Sequence, residues 1–426
     1  MMRLLCTIMA MSFCLLAGLA AWADDTELPH RLIEVPVDHF DDQSGTFDLY
    51  VEFAEPFDPN KPTVFFLADG QQFFIRQGSM ARHRDRLFSD DMNVVGIVGR
   101  GVPDAYPDLA AMVGDDIATA DWEMAWTLYR SAQWIEDIET VRRSLMGAQG
   151  KVILFGRSGG GALVHEYAAK YGEYVSRAFT AAPALSSMAN YTRLPFDRFW
   201  AEVEDIAPDA HERFRTLMND PDIDRHELAV AFQRQNFFVT PDERDAERLR
   251  LLTTYEKRDA EMLAEMLTAY QVPQMAAFDA APISIPSRVR LMEFRLPHVE
   301  KWRVEDDKLN PDIENILLSS APVHDAFLGD VPVAEFSLTP LHELKETQVY
   351  ILAGAHDHVV DYRGSIALAA SYPSSAIFIA DDGHTFPAMV DDGSYRDILV
   401  AFLMHGLGSE ELQQAEAAAA LHHYGG

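Results

Sequence analysis

The pentapeptide Gly156-Arg157-Ser158-Gly159-Gly160 has the spacing that presents a serine as a nucleophile, and it is the only G-x-S-x-G in the chain. It follows an apolar run at residues 151–155, expected to be a buried strand, and opens an apolar helix expected over residues 160–171. A strand that turns into a helix within so few residues strains the serine and crowds the backbone. Gly156, Gly160 and Gly161 leave room for that turn. Serine attacks a carbonyl only when a base takes its proton. Fifteen histidines compete for that role. His384, in Asp382-Gly383-His384-Thr385-Phe386, follows the last expected strand and lies in a loop, from which an imidazole can reach the serine. A third group must orient that imidazole and stabilise its protonated form. Asp357, just after the strand expected over residues 348–352, has the right position. Asp361 is the runner-up, with Asp381 and Asp382 behind it.

Such chemistry is acyl transfer, and the oxyanion it creates needs donors aimed at it. The backbone N–H of Gly159, next after the serine, is one. The other is expected from the turn Ala68-Asp69-Gly70-Gln71-Gln72 after the strand at residues 63–67, with Gln71 preferred and Gly70 as the alternative. Arg157 can meet a substrate carboxylate or pair with a neighbouring acid, and the pairing is the favoured reading. His356-Asp357-His358 has the look of a metal cluster, but no third ligand follows at suitable spacing and a strand-end turn explains the residues. The expectation is therefore no metal and no cofactor.

These residues need a scaffold. Residues 31–37 and 45–55 read as an antiparallel pair, and residues 63–67 and 93–98 as buried strands. An amphipathic helix follows over 134–145, with Ile135, Ile138, Val141 and Leu145 on one face. Strands at 151–155 and 176–182 flank the helix at 160–171. Alternating buried strands and helices imply a mostly parallel sheet covered on both faces. The rhythm stops near residue 190. From there to about 345 the sequence is charged and helical, with candidate helices at 202–218, 242–254 and 256–269, interrupted around Pro273, Pro282 and Pro297. Strands resume at 348–352 and 375–380, and an apolar helix at 395–407 closes the series. The expected organisation is a core of residues 24–190 and 345–426 carrying a helical cap at 191–344.

Residues 1–23 are expected to be a signal peptide, with an uncleaved membrane anchor as the alternative. Arg3 precedes an uncharged apolar run at 4–20, and Ala21-Trp22-Ala23 fits the small-x-small cleavage pattern. Both cysteines of the chain, Cys6 and Cys14, lie in this leader. The mature protein is then an exported one, periplasmic or extracellular in a bacterium, without disulfide, thiolate nucleophile or thiolate metal site. The 426-residue chain carries a net charge of -32, which argues against nucleic acid and anionic membrane as partners. Its 48% hydrophobic content supports a sizeable core.

Several stretches together resemble the prolyl-aminopeptidase-like branch of the α/β-hydrolases, which includes secreted tripeptidyl aminopeptidases. They are Val35-Pro36-Val37-Asp38-His39-Phe40 with Gly45-Thr46-Phe47, Arg100-Gly101, and Trp134-Ile135-Glu136-Asp137-Ile138-Glu139 with Val141-Arg142. The chain order Ser158, Asp357, His384 is also that of α/β-hydrolases. The likeness spans about residues 35–183 and 348–387 and leaves the cap unmatched. The family's His-Gly-Gly-Pro-Gly stretch appears here as Ala68-Asp69-Gly70-Gln71-Gln72, and Val98 stands where the family has Asp. The resemblance implies an α/β-hydrolase fold and an aminopeptidase acting on short peptides. It also implies cap carboxylates that hold the substrate's α-amine, for which Glu202 and Glu204 are candidates. Hydrolysis of small or lipid esters by the same three residues is the alternative, and a non-catalytic binding module on the same fold the third reading.

Overall fold

A computed structural model describes residues 29–69, 72–73, 75–185, 198–294, 309–327 and 337–425. The proposed leader and the boundary between residues 190 and 191 lie outside the described residues. Eight strands form one sheet: β1 His30–Pro36, β2 Thr46–Phe53, β3 Thr63–Leu67, β4 Asn93–Ile97, β5 Val152–Arg157, β6 Val175–Ala181, β7 Gln348–Gly354 and β8 Ser375–Ala380. Their order is β1-β2-β4-β3-β5-β6-β7-β8. β1 and β2 pair antiparallel, as do β2 and β4, and every later pairing is parallel.

The parallel strands are continuous apolar runs because helices cover both faces of the sheet. β3 and β4 are buried at every residue, and β5 at all but Arg157. Helix α2 (Gly159–Tyr171) packs on β5 and β6, and helix α1 (Ser131–Met146) packs against β1 and against α2; both helices lie where the sequence reading expected helices. The three stretches that carry the family resemblance meet in one buried network. Arg100 forks onto Asp137 with two 2.7 Å bonds, His39 Nε2 lies 2.7 Å from Asp137 Oδ1, and Arg100 Nη1 donates to the Val37 carbonyl. Removing one partner of such a buried pair leaves a bare charge, so the network locks the entry strands to α1.

Between β6 and β7 every described element is helical. Helices α3 (Arg198–Glu204), α4 (Arg225–Phe238) and α5 (Pro241–Lys257), with Ala210–Met218 and Ala260–Ala269, share a core of their own built on Phe199, Trp200, Phe214, Phe232, Leu251 and Leu252. Helices α6 (Ser284–Phe294) and α7 (Pro311–Ala326) pack with each other and with Trp122 and Trp126 of helix Trp122–Tyr129, and α7 also packs along α4. Two local expectations need correction. The single helix at 202–218 is two, α3 and Ala210–Met218, with Pro208 in the turn between them, since proline cannot continue a helix. The helix expected from Glu256 begins at Ala260, because Arg258 takes a left-handed conformation and Asp259 caps the next helix. The interruption expected around Pro273 is present: Tyr270 and Gln271 separate helix Ala260–Ala269 from helix Val272–Ala280, and Pro273 sits in the first turn of the second, where its missing N–H costs nothing. Pro297 lies outside the described residues. Among the described residues no helix is long and apolar enough to cross a membrane.

A polar cluster joins α6 to the two core helices. Arg290 donates to Glu166 of α2 at 3.0 Å and to Ser131 at the start of α1, whose N–H donates to Glu293 Oε2 at 2.8 Å. Burial pushes the Glu166 carboxyl up to about 7, with Arg290 opposing the shift and Glu293 adding to it. The folded state thus holds a proton that the unfolded chain releases at the ordinary glutamate value. Stability from this group is present in full below that value and is lost as pH rises through about 7. Glu166→Gln is therefore expected to raise the melting temperature over wild type at about pH 8 and to change it little at about pH 5. An equal difference at both pH values, measured by thermal unfolding, would refute this.

Candidate active site

β5 ends and α2 begins around Ser158, which adopts φ 48° and ψ -120°, a region that L-residues occupy only under strain. The turn is pinned on both sides. Ser158 N donates to Ala181 O at 2.9 Å, and the Ser158 carbonyl accepts from Ala162 N and Ala184 N. Glycine is required here by close approach. A Cβ on Gly160 would stand 2.0 Å from Leu67 O, and one on Gly156 2.5 Å from Gly160 O. The serine is thereby held at the carboxyl edge of a parallel sheet, where open α/β sheets present their ligand sites.

The loops after β7 and β8 bring the other two residues to it. His384 Nε2 lies 3.2 Å from Ser158 Oγ, and His384 Nδ1 lies 2.7 Å from Asp357 Oδ2. A carboxylate only accepts, so Nδ1 carries the proton and Nε2 is left to accept from the serine hydroxyl. Asp357 is almost fully buried, and its Oδ1 accepts from Val359 N at 2.8 Å and Val360 N at 2.9 Å. One oxygen is thus fixed by the loop's own backbone, and the other is aimed at the imidazole. The three side chains form one hydrogen-bonded line that can pass a proton from serine to histidine.

The rival acids are engaged elsewhere. Asp361 caps helix Tyr362–Ala369 and pairs with Arg363, and Asp381 pairs with His356 at 2.7 Å. Asp382 is buried and accepts from Gly383, Ala388 and Met389 N–H groups, so it shapes the loop that carries His384. Burial pushes its carboxyl above the usual range against those three bonds. His356 and His358 flank Asp357 but turn to different partners, Asp381 and Glu202.

Gly159 follows the serine at the first position of α2, where N–H groups have no partner within the helix. Gln71 and Gly70 lie outside the described residues. The structure does describe Gln72, which the sequence reading did not single out. It has φ 57° and is buried, its Oε1 accepts from Ala68 N at 3.0 Å, and its Nε2 donates to Asp69 O. Its side chain therefore fastens the turn after β3 from inside.

Arg157 is half-buried, and among the described residues no acid lies within ion-pair distance of it. Its charge instead sits near Tyr395, where it opposes the rise that burial causes in the phenol. Glu202 does not stand free over the site; its Oε2 is bonded to Arg244 at 2.7 Å and lies 3.2 Å from His358 Nε2. Glu204 is half-buried, and two residues along a helix it cannot share a face with Glu202. Two further residues touch the site with no sequence signal to mark them. The Phe237 ring of α4 meets His384 edge-on at 5.2 Å, and Arg244 of α5 donates to the His356 carbonyl at 2.6 Å.

The sheet order, the strained serine between β5 and α2 and the loops after β7 and β8 define a class of protein. A family model described as the alpha/beta hydrolase fold matches residues 113–387, and the chain belongs to that family. Among solved structures it is similar to a proline iminopeptidase of Mycobacterium smegmatis, with 15% identity over 92% of this chain and 99% of that one and a TM-score of 0.46. It is also similar to an esterase from Exiguobacterium antarcticum, with 16% identity over 88% and 100% and a TM-score of 0.44. A probable hydrolytic enzyme from Pseudomonas aeruginosa shows 14% identity over 91% and 96%, with a TM-score of 0.43. No curated protein matches the chain.

Proposed function

We infer that the protein is a serine hydrolase acting through an acyl-enzyme, with Ser158 as nucleophile, His384 as general base and acid, and Asp357 as the group that orients the imidazole. The observation that carries this reading is the hydrogen-bonded line from Ser158 Oγ through His384 to Asp357. Ser158 Oγ attacks the substrate carbonyl carbon while its proton passes to His384 Nε2. The oxyanion is met by the Gly159 N–H and by a second amide from the turn after β3. His384 then gives the proton to the leaving amine or alcohol, and an ester to Ser158 remains. Water, deprotonated by the same histidine, attacks that ester and frees the serine. No cofactor enters. The helices between β6 and β7 act as a cap that excludes water and selects the substrate.

The substrate class we favour is short peptides cleaved from their N-terminus, supported by the resemblance carried by residues 35–47, Arg100-Gly101 and residues 134–142. The leader at residues 1–23 supports export to the periplasm or beyond. The test is incubation of the mature protein with a fluorophosphonate, followed by mass analysis of the peptide that contains Ser158. An adduct on Ser158 is expected, and an unmodified Ser158 in folded protein would overturn the triad. Aminoacyl-naphthylamides, proline-bearing ones above all, set against nitrophenyl esters then separate peptidase from esterase. Turnover of esters alone would overturn the peptidase assignment and leave the triad standing.

A further inference from the structure

We propose that Arg244, held by Glu202, is a positioning residue for Asp357, so that the helices inserted between β6 and β7 set the acid of the triad as well as covering the site. The inference rests on the reading of Ser158, His384 and Asp357 given above. Its centre is one peptide unit. The His356 carbonyl and the Asp357 N–H belong to the same planar amide, so fixing the carbonyl fixes the direction in which the chain enters Asp357. Arg244 Nη1 donates to that carbonyl at 2.6 Å. On the other side, His356 N donates to Asp382 O at 3.1 Å, within the loop that carries His384. The residue that precedes Asp357 is therefore held between α5 and the histidine loop.

Arg244 can hold this carbonyl because it is itself immobile. Its side chain is only 4% exposed, and its Nη2 donates to Glu202 Oε2 of α3 at 2.7 Å. The same carboxylate oxygen lies 3.2 Å from Nε2 of His358, the residue after Asp357. Glu202 and Arg244 thus touch both neighbours of the acid. Burial pulls the His358 imidazole down to about 3, so it stands neutral between Glu202 and the arginines. Arg248, one turn along α5, is fully buried. It donates to the Phe199 carbonyl at 2.6 Å and to Asn236 Oδ1 at 2.7 Å, with its guanidinium 3.6 Å from the Phe199 ring centre. That residue ties α3, α4 and α5 into one body, and Phe199 in turn meets His358 edge-on at 5.9 Å. A planar fork with two fixed acceptors is a task for arginine, since lysine reaches one acceptor at a time.

The test uses the mature protein and compares Arg244→Met, Arg244→Lys and Glu202→Gln with wild type, after a fluorophosphonate has been shown to label wild type at Ser158. Acylation by 4-nitrophenyl acetate gives kcat and KM, phosphonate labelling gives a second rate, and thermal unfolding reports folding. Arg244→Met is expected to lower kcat and the labelling rate by about 10–100-fold with KM nearly unchanged, the penalty of a misplaced catalytic group. Arg244→Lys should restore part of that loss, and Glu202→Gln should produce a smaller loss of the same kind. Arg213→Ala, which breaks an ion pair with Glu256 remote from Asp357, should leave both rates at wild type. If Arg244→Met does not fold, Arg244→Lys and Glu202→Gln carry the decision. Wild-type rates in a folded Arg244 or Glu202 variant overturn the inference, and so does a change confined to KM. Wild type that is never labelled at Ser158 overturns the triad reading instead, and the inference with it.

Discussion

Ser158→Ala is expected to lower kcat by about 10⁵–10⁶-fold and to move KM by no more than a few-fold, because the serine contributes a bond and little ground-state binding. His384→Ala should cost nearly as much. The double variant should be little worse than either single one, since the two residues act as a unit. Folding is not the cause of these losses. Alanine keeps the Cβ of serine at φ 48°, so the elbow retains its strain, its glycines and its backbone bonds to Ala181, Ala162 and Ala184. Kinetics with any substrate the wild type turns over, beside melting curves of each variant, make the measurement. A Ser158→Ala protein that keeps a tenth of the wild-type rate would remove serine chemistry from the site.

Asp357→Asn should lower kcat by about 10⁴-fold while leaving the fold intact. An asparagine oxygen can still accept from Val359 and Val360, which preserves the loop. Its amide nitrogen then faces His384 Nδ1 as a donor, which forces the imidazole proton onto Nε2. In that tautomer the ring points a proton at Ser158 and cannot take one. Asp361→Asn is the informative comparison. Asparagine still caps helix Tyr362–Ala369, and only the partly exposed pair with Arg363 is lost, so activity should stay within about two-fold. Equal losses in the two variants would show that the acid had been misassigned.

The sheet was legible because strands covered on both faces are written as unbroken apolar runs. β3 and β8 have the bounds the sequence suggests, and the other strands differ by a residue or two at their ends. Ser158, Asp357 and His384 were legible because each follows such a strand directly. The inserted helices were much less so. α4 is buried at Leu228, Ala229, Val230, Ala231 and Phe232 in succession, so it shows no polar stripe to mark a period. α7 carries Pro322 inside it, which reads as an interruption. Arg244 and Phe237 had no signal of any kind. What they do depends on how α4 and α5 dock, and docking has no local spelling. Glu202 was legible as a cap acid, but its commitment to Arg244 was not. The stretches that resemble the peptidases converge on Asp137 and Arg100, so a good part of that resemblance records a buried ion pair of the scaffold.

The placing of α3 to α7 between two neighbouring strands also bears on how the chain folds. β6 and β7 lie side by side with Arg177 opposite Gln348, although the whole helical insertion separates them in sequence. The entropy of closing so long a loop grows only slowly with its length, so the native state is not greatly penalised. The rate is another matter, because parallel pairings between distant segments form late. Asp357 and His384 both lie beyond that pairing, whereas Ser158 lies before it. On dilution from denaturant, helical circular dichroism should therefore return ahead of reactivity at Ser158, and simultaneous recovery of the two signals would contradict this order. A kinetic intermediate of this protein would carry Ser158 already on its strand while still lacking the loop that brings His384 to it.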